Sequence, residues 1–225
     1  MKAYICDEGN KMSRIAYGTL VVCIILSSVS SAIAAPEPAI VPGIGHWTMD
    51  TEYSPLQKIE IPTRGQNQPD FFWYIILTIT DNTGEDLDFY PKCDLMTDNF
   101  QILSEGTSVT PYVFRMIKNR HQNKYPFLES LDSAGNRILQ GSDNTKDIAI
   151  IWPDFNKNVQ SVKLFVSGLS NETVVIKHPV ELDENGNPVK VFLRKTLELS
   201  YSIKGGALSR ENATPVFKGK RWVMR

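Results

Sequence analysis

The chain has 225 residues, with 24 lysines and arginines against 25 aspartates and glutamates, for a formal net charge of −1. That balance excludes the cationic excess with which proteins engage nucleic acid or an anionic membrane, so no nucleic-acid partner is expected. The length suits one large domain with its own core rather than a staple-dependent miniature fold.

In chain order, Lys11 and Arg14 precede an apolar run from Ile15 to Leu26. Four serines among residues 27–31 then lead into Ala32-Ile33-Ala34. Basic, apolar and small segments in that order read as a secretory signal peptide over residues 1–34, cleaved after Ala34. Met12 is a plausible true start, because Asp7 and Glu8 are unusual ahead of a signal core. An uncleaved anchor from Ile15 to Ala34 is the alternative, but an apolar run of about 12 residues is short for a span. Cys23 lies inside the run, so no lipid anchor is expected. The mature chain is therefore expected to be secreted or periplasmic, with no stable membrane span.

Cleavage removes Cys6 and Cys23 and leaves Cys93 alone, so no internal disulfide can form. Stability then has to come from packing. Cys93 sits between Lys92 and Asp94 with no histidine nearby in sequence, and reads as a half-buried structural thiol rather than a nucleophile.

Residues 35–46 are rich in proline and small side chains and read as a flexible leader, with one domain over residues 47–225. Ile59 and Ile61 alternate in a first strand, and 62–69 is a polar loop. The strongest element is Phe71 to Thr80. Phe71, Trp73, Ile75, Leu77 and Ile79 share one face at period two, while Phe72, Tyr74 and Ile76 load the other, so this strand should be covered on both sides. Asp81-Asn82-Thr83-Gly84 is turn chemistry. A strand with Leu87 and Phe89 inward and Asp86 and Asp88 outward should follow.

Thr110-Pro111 marks a helix start, and Tyr112, Val113, Met116 and Ile117 recur at helical spacing up to His121. Asp132 to Asn136 is a turn, and Ile148, Ile150 and Trp152 alternate within another strand. Val162, Leu164 and Val166 form the next, followed by a turn at Gly168–Asn171, a strand at Val174–Ile176 and a reversal at Asp183–Asn187. From Val189 the odd positions are apolar as far as Ile203, except at Lys195. A bend, a bulge or two separate strands are expected there, since a straight strand of about 15 residues would span roughly 50 Å. Phe217 to Met224 closes the fold.

This pattern predicts an all-β fold, an antiparallel immunoglobulin-like β-sandwich with one short helical insertion. The run Phe72-Trp73-Tyr74-Ile75-Ile76-Leu77-Thr78 with Asp81-Asn82-Thr83-Gly84, together with Ile148 to Asp154 and Leu164 to Asn171, resembles a group of uncharacterised exported bacterial proteins. The resemblance implies an envelope immunoglobulin-like domain and carries no assigned activity.

Candidate chemistry is sparse. Asp81, Glu85, Asp86 and Asp88, with Asp94 and Asp98 beyond them, supply carboxylates that calcium takes as ligands, though without the order of an EF-hand loop. A solvated strand edge is the simpler reading. Arg115, Lys118, Arg120 and Lys124 form a basic cluster among Tyr112, Phe114, Tyr125 and Phe127. Helix C-terminal cations over buried rings account for it, and an anionic envelope polymer is the ligand it would suit. The histidines are His46, His121 and His178, at no metal-binding spacing. No Gly-x-Ser-x-Gly, phosphate loop or Cys-x-x-Cys is present, and no cofactor is expected. Asn171-Glu172-Thr173 and Asn212-Ala213-Thr214 match the glycosylation sequon, which matters only in a eukaryotic secretory path. Of the four tryptophans, three fall in apolar strand phase, which favours core packing over a sugar-stacking face.

The leading expectation is an exported, non-catalytic binding or scaffolding module whose partner is an envelope protein or anionic polymer. The rival is an envelope-polymer hydrolase or metal-dependent enzyme, with His121 or His178 joined to a carboxylate by loops.

Overall fold

In a computed structural model, the described residues are 35–39, 43–62, 68–204 and 213–225. The expected signal, residues 1–34, lies outside them, as does Asn212. The alternating run becomes β3 (Asp70–Thr80), and its two apolar faces decide the architecture around it. It pairs antiparallel with β9 (Lys146–Pro153), from Phe72 opposite Pro153 to Ile79 opposite Lys146. On its other edge lie β1 (Asp50–Tyr53) and β2 (Gln57–Ile61), which divide β3 between them. Ser54 joins the two halves, exchanging backbone and hydroxyl hydrogen bonds with Ile76. β7 (Glu129–Ser130) completes this sheet as a parallel partner of β9.

The second sheet is antiparallel and runs β6 (Ile102–Ser104), β5 (Lys92–Thr97), β10 (Ser161–Ser167), β12 (Pro188–Ile203), with β13 (Pro215–Met224) on the other edge of β12. Its inward positions meet the odd face of β3 in one continuous core. Trp73, Ile75 and Leu77 with Ile148, Ile150 and Trp152 pack against Cys93, Leu95, Leu164, Val166, Leu197 and Leu199. Each such side chain contributes about 1.5–3 kcal/mol by leaving water. Cys93 is completely buried in this layer rather than half-buried, because it occupies the inward phase of β5.

The even face of β3 is covered differently. Phe72, Tyr74 and Ile76, with Ala149 and Ile151 of β9, form a second apolar cluster under α1 (Pro111–His121), which contributes Val113 and Ile117. The helix begins at the proline and ends at the histidine that the sequence pattern indicates. The described residues thus form a mainly β unit with one α-helix, and β3 is buried on both faces. No helix among them is long and apolar enough to cross a membrane.

Two expectations change. The strand after Gly84 is only β4 (Leu87–Asp88), and it pairs with β8 (Arg137–Ile138) in a small sheet of its own. Leu87 and Phe89 are nevertheless buried and Asp86 and Asp88 exposed, as the alternation requires. The strand through Lys195 is continuous, and it is the pairing partner that changes there. Up to Arg194, β12 pairs with β11 (Thr173–Leu182), whereas from Leu197 it pairs with β10. A register shift occurs instead between Ser200 and Tyr201 against β13.

Between β10 and β11 the chain crosses at 168–172. Gly168 has φ +88, and a Cβ there would lie 2.7 Å from the backbone oxygen of Tyr90, so only glycine fits. The residues expected to form a flexible leader are tied to this crossing. Trp47 N–H donates to Asn171 Oδ1, and Asn171 Nδ2 donates to Gly45 O. Further back, Ala39 N–H donates to Glu172 Oε1 and Ala39 O accepts from Lys195 Nζ.

Candidate functional site

The acidic turn is used structurally. Asp81 is fully buried, and its Oδ1 accepts from Thr83 N–H at 2.9 Å and Thr83 Oγ1 at 2.7 Å, closing the turn at Gly84. Asp86 accepts from Gln140 N–H and pairs with Arg137, which fastens the facing loop. Glu85 and Asp88 are exposed. Asp98 accepts from the backbone of Gln160 and Ser161, ahead of β10. Among the described residues no three His, Cys, Asp or Glu side chains group as a metal ion would need, so the turn does not gather the calcium candidates into one shell.

The basic cluster is divided by the helix. Arg120 turns toward the sheet, where its Nη1 reaches Lys58 O at 3.3 Å and Tyr74 Oη at 3.4 Å. Lys124 lies over the ring of Tyr125, and Arg115 over Tyr112. Arg115 is exposed and Lys118 half-buried on the helix surface, so the four cations do not converge on one anion.

His121 joins the Arg120 network. Its Nε2 lies 2.9 Å from Tyr74 Oη, and Tyr74 in turn donates to Gln57 Oε1. Burial first, then the neighbouring charges of Arg120 and Lys124, hold the His121 pKa below its ordinary value. The Tyr74 phenol is pushed up by burial, against the opposing influence of Arg120. This arrangement anchors the end of the helix to the sheet, and among the described residues the imidazole has no carboxylate partner. His178 lies on β11, where Nδ1 accepts from Glu181 N–H and Nε2 stands 4.0 Å from Glu181 Oε2. His46 is exposed near the leader. The three histidines are therefore in three separate places. Trp73 and Trp152 are fully buried, and Trp47 and Trp222 pack partly buried against the same core.

Two features had no counterpart in the sequence reading. The first is the ribbon formed by β11 and residues 188–194 of β12, where the sheet narrows to two strands. Four of its large apolar side chains remain in solvent: Val175 is 51% exposed, Val180 83%, Leu182 59% and Phe192 63%. Val175 and Phe192 are directly opposed across the ribbon. Alternation was visible in this stretch, but exposure depends on what pairs with it.

The second is the outer face of the second sheet. Asp94, Phe165 and Glu198 stand side by side on β5, β10 and β12, and all three are buried. Glu198 is fully committed, to Arg221 at 2.9 Å, Lys163 at 3.3 Å and Ser200 at 3.2 Å. Burial works against its charge, but the hydrogen bonds and charges of Arg221 and Lys163 outweigh it and hold the carboxyl below its ordinary value. Beside it opens a cleft of about 270 Å³ lined by Tyr90, Lys92, Asp94, Phe165, Arg194 and Arg225.

Comparison with known proteins finds no relative: no family model matches the chain, and neither the curated proteins nor the solved structures yield a match.

Proposed function

We propose that the chain is an exported, non-catalytic binding or scaffolding module of the periplasm or cell envelope, and that it engages a protein partner through the β11–β12 ribbon. The observation that carries this reading is the row of exposed apolar side chains, Val175, Val180, Leu182 and Phe192, on a two-stranded element. Apolar side chains kept in water favour association, and a two-stranded ribbon leaves backbone donors and acceptors free for an added strand. Export is supported by the basic, apolar and small-residue order of residues 1–34. An immunoglobulin-like sandwich is supported by two mainly antiparallel sheets over one core, with a single α-helix among the described residues, and membership of the uncharacterised exported group by the strand and turn wording from Phe72 to Gly84.

The rival hydrolase needs an imidazole in a cleft within hydrogen-bond reach of a carboxylate. His121 is engaged with Tyr74, and His178 sits on the ribbon, so neither gives that reading support. A photo-crosslinking residue placed at Phe192 in the tagged chain, expressed in its native cells, tests the proposal. A discrete protein adduct, lost when the probe is moved to Arg115 on the helix, supports it. Equal adducts from both positions, or a modified glycan or peptide in place of a protein, would overturn it.

A further inference from the structure

The cleft on the outer face of the second sheet carries more positive charge than its own residues neutralise. Arg194 and Arg225 exchange both backbone hydrogen bonds, N to O at 2.8 and 3.1 Å, so they are directly opposed across neighbouring strands. Like charges in that position repel. Arg225 is accounted for: its guanidinium lies 4.2 Å from the centre of the Phe165 ring and 3.7 Å from Asp94 Oδ2. The same oxygen is shared at 3.7 Å with Lys92, and the other oxygen of Asp94 accepts from Ser104. Arg194 has no side-chain partner among the described residues, and the next carboxylate on this face, Glu198, is already held by Arg221 and Lys163. Three cationic side chains therefore line the cleft against a single carboxylate side chain, that of Asp94.

We propose that this cleft is a binding site for an oxyanion, phosphate or carboxylate, carried on a small polar body such as a sugar. Arg194 supplies the open guanidinium fork. Arg225, laid on Phe165 and oriented by Asp94, supplies a second fork at fixed geometry, and Lys92 supplies a point charge at the rim. Tyr90, which is 66% exposed, offers its ring as one wall for the body of the ligand. Binding removes the repulsion between the two arginines, so the empty site is destabilised and the filled one is not. The inference does not rest on the ribbon reading, although Arg194 closes the ribbon as well as lining the cleft: its test reads binding of a small anion and needs no protein partner.

Inorganic phosphate, glucose 6-phosphate, galacturonate and neutral glucose are titrated by calorimetry into the wild-type chain, Arg194→Gln and the helix variant Arg115→Gln, with sodium chloride at matched ionic strength as reference. Phosphate or galacturonate should bind saturably to the wild type and to Arg115→Gln, and about tenfold or more weakly to Arg194→Gln. Which anion binds, and whether the sugar phosphate exceeds free phosphate, identifies the source. The melting temperature of Arg194→Gln without ligand should equal or exceed that of the wild type, which also shows that the variant folds. No heat from any anion, equal binding by Arg194→Gln, loss of binding in Arg115→Gln, or an effect reproduced by sodium chloride would overturn the proposal.

Discussion

Lys195 Nζ lies 3.0 Å from Glu172 Oε2, and the two side chains are only 3% and 7% exposed. Each partner does further work: Glu172 accepts from Ala39 N–H, while Lys195 donates to Ala39 O and lies over the Trp222 ring. The lysine that interrupts the apolar phase of β12 is thus half of a buried pair that fastens the segment ahead of the domain at the point where β12 changes partners.

Lys195→Met leaves Glu172 buried and charged without its cation, and should cost about 3–5 kcal/mol in denaturant unfolding. The double variant Lys195→Met with Glu172→Leu should recover most of that loss, because no charge is left stranded. If the double variant is as unstable as the single one, the pair is not the source of the effect.

Acid should weaken the fold through Glu172 and Glu198. Burial opposes the charge of each. For Glu172 the Ala39 N–H and Lys195 outweigh it, and for Glu198 Arg221 and Lys163 do, so both carboxyls are held below the ordinary 4.5. The unfolded chain therefore takes up these protons first. Their contribution is complete above about pH 4.5 and is lost as the pH falls through the lower folded values. Urea unfolding against pH should show this fall, and Glu198→Gln should begin less stable at neutral pH and fall less steeply.

His121 acts in a higher window. Its folded pKa lies below 6.5, so the unfolded state binds the proton more readily. Stability should be level above pH 6.5 and decline below it, because burial and the neighbouring charges of Arg120 and Lys124 disfavour the protonated imidazole. In His121→Gln that step should vanish. An identical slope in variant and wild type between pH 5 and 6.5 would place the titration elsewhere.

Gly168→Ala should be more damaging than Gly84→Ala. Both glycines have positive φ, but the added methyl at 84 meets no atom within 4 Å, whereas at 168 it meets the Tyr90 and Pro91 backbone. Positive φ alone costs about 1 kcal/mol, and the collision adds to it. Equal losses in thermal melts would mean that the backbone at Tyr90 yields without cost.

Cys93 should not react with an aromatic disulfide reagent in the native chain. It is wholly buried, and burial together with the nearby Glu105 and Asp94 pushes its thiol well above the ordinary value. The equivalent released by Cys93 should track unfolding by denaturant, and rapid native labelling of Cys93 would contradict the packing described.

Local pattern revealed whatever depended on one segment. The two-faced loading of Phe71–Thr80 indicated a strand covered on both sides, and Thr110-Pro111 indicated the helix start, since each rests on side chains in the element itself. β5 was hidden because its outward positions, Lys92, Asp94 and Met96, look like part of a charged loop while only Cys93 and Leu95 speak for the core. The cleft was hidden for a different reason. Arg194 meets Arg225 only through the register of β12 against β13, and Asp94 meets Phe165 only through that of β5 against β10. The basic cluster near the helix was visible as composition, but composition does not show that Arg120 turns inward to Tyr74.

The unbroken course of β12 from the exposed ribbon into the sheet has a mechanical consequence. A load applied to residues 188–194 along the strand axis reaches Leu197 to Ile203 without passing through a loop, and it meets the β10 and β13 ladders side-on. Hydrogen bonds perpendicular to a pull resist it together, whereas bonds in line with it open one after another. Traction on the ribbon is thus passed to a strand that is paired along both edges.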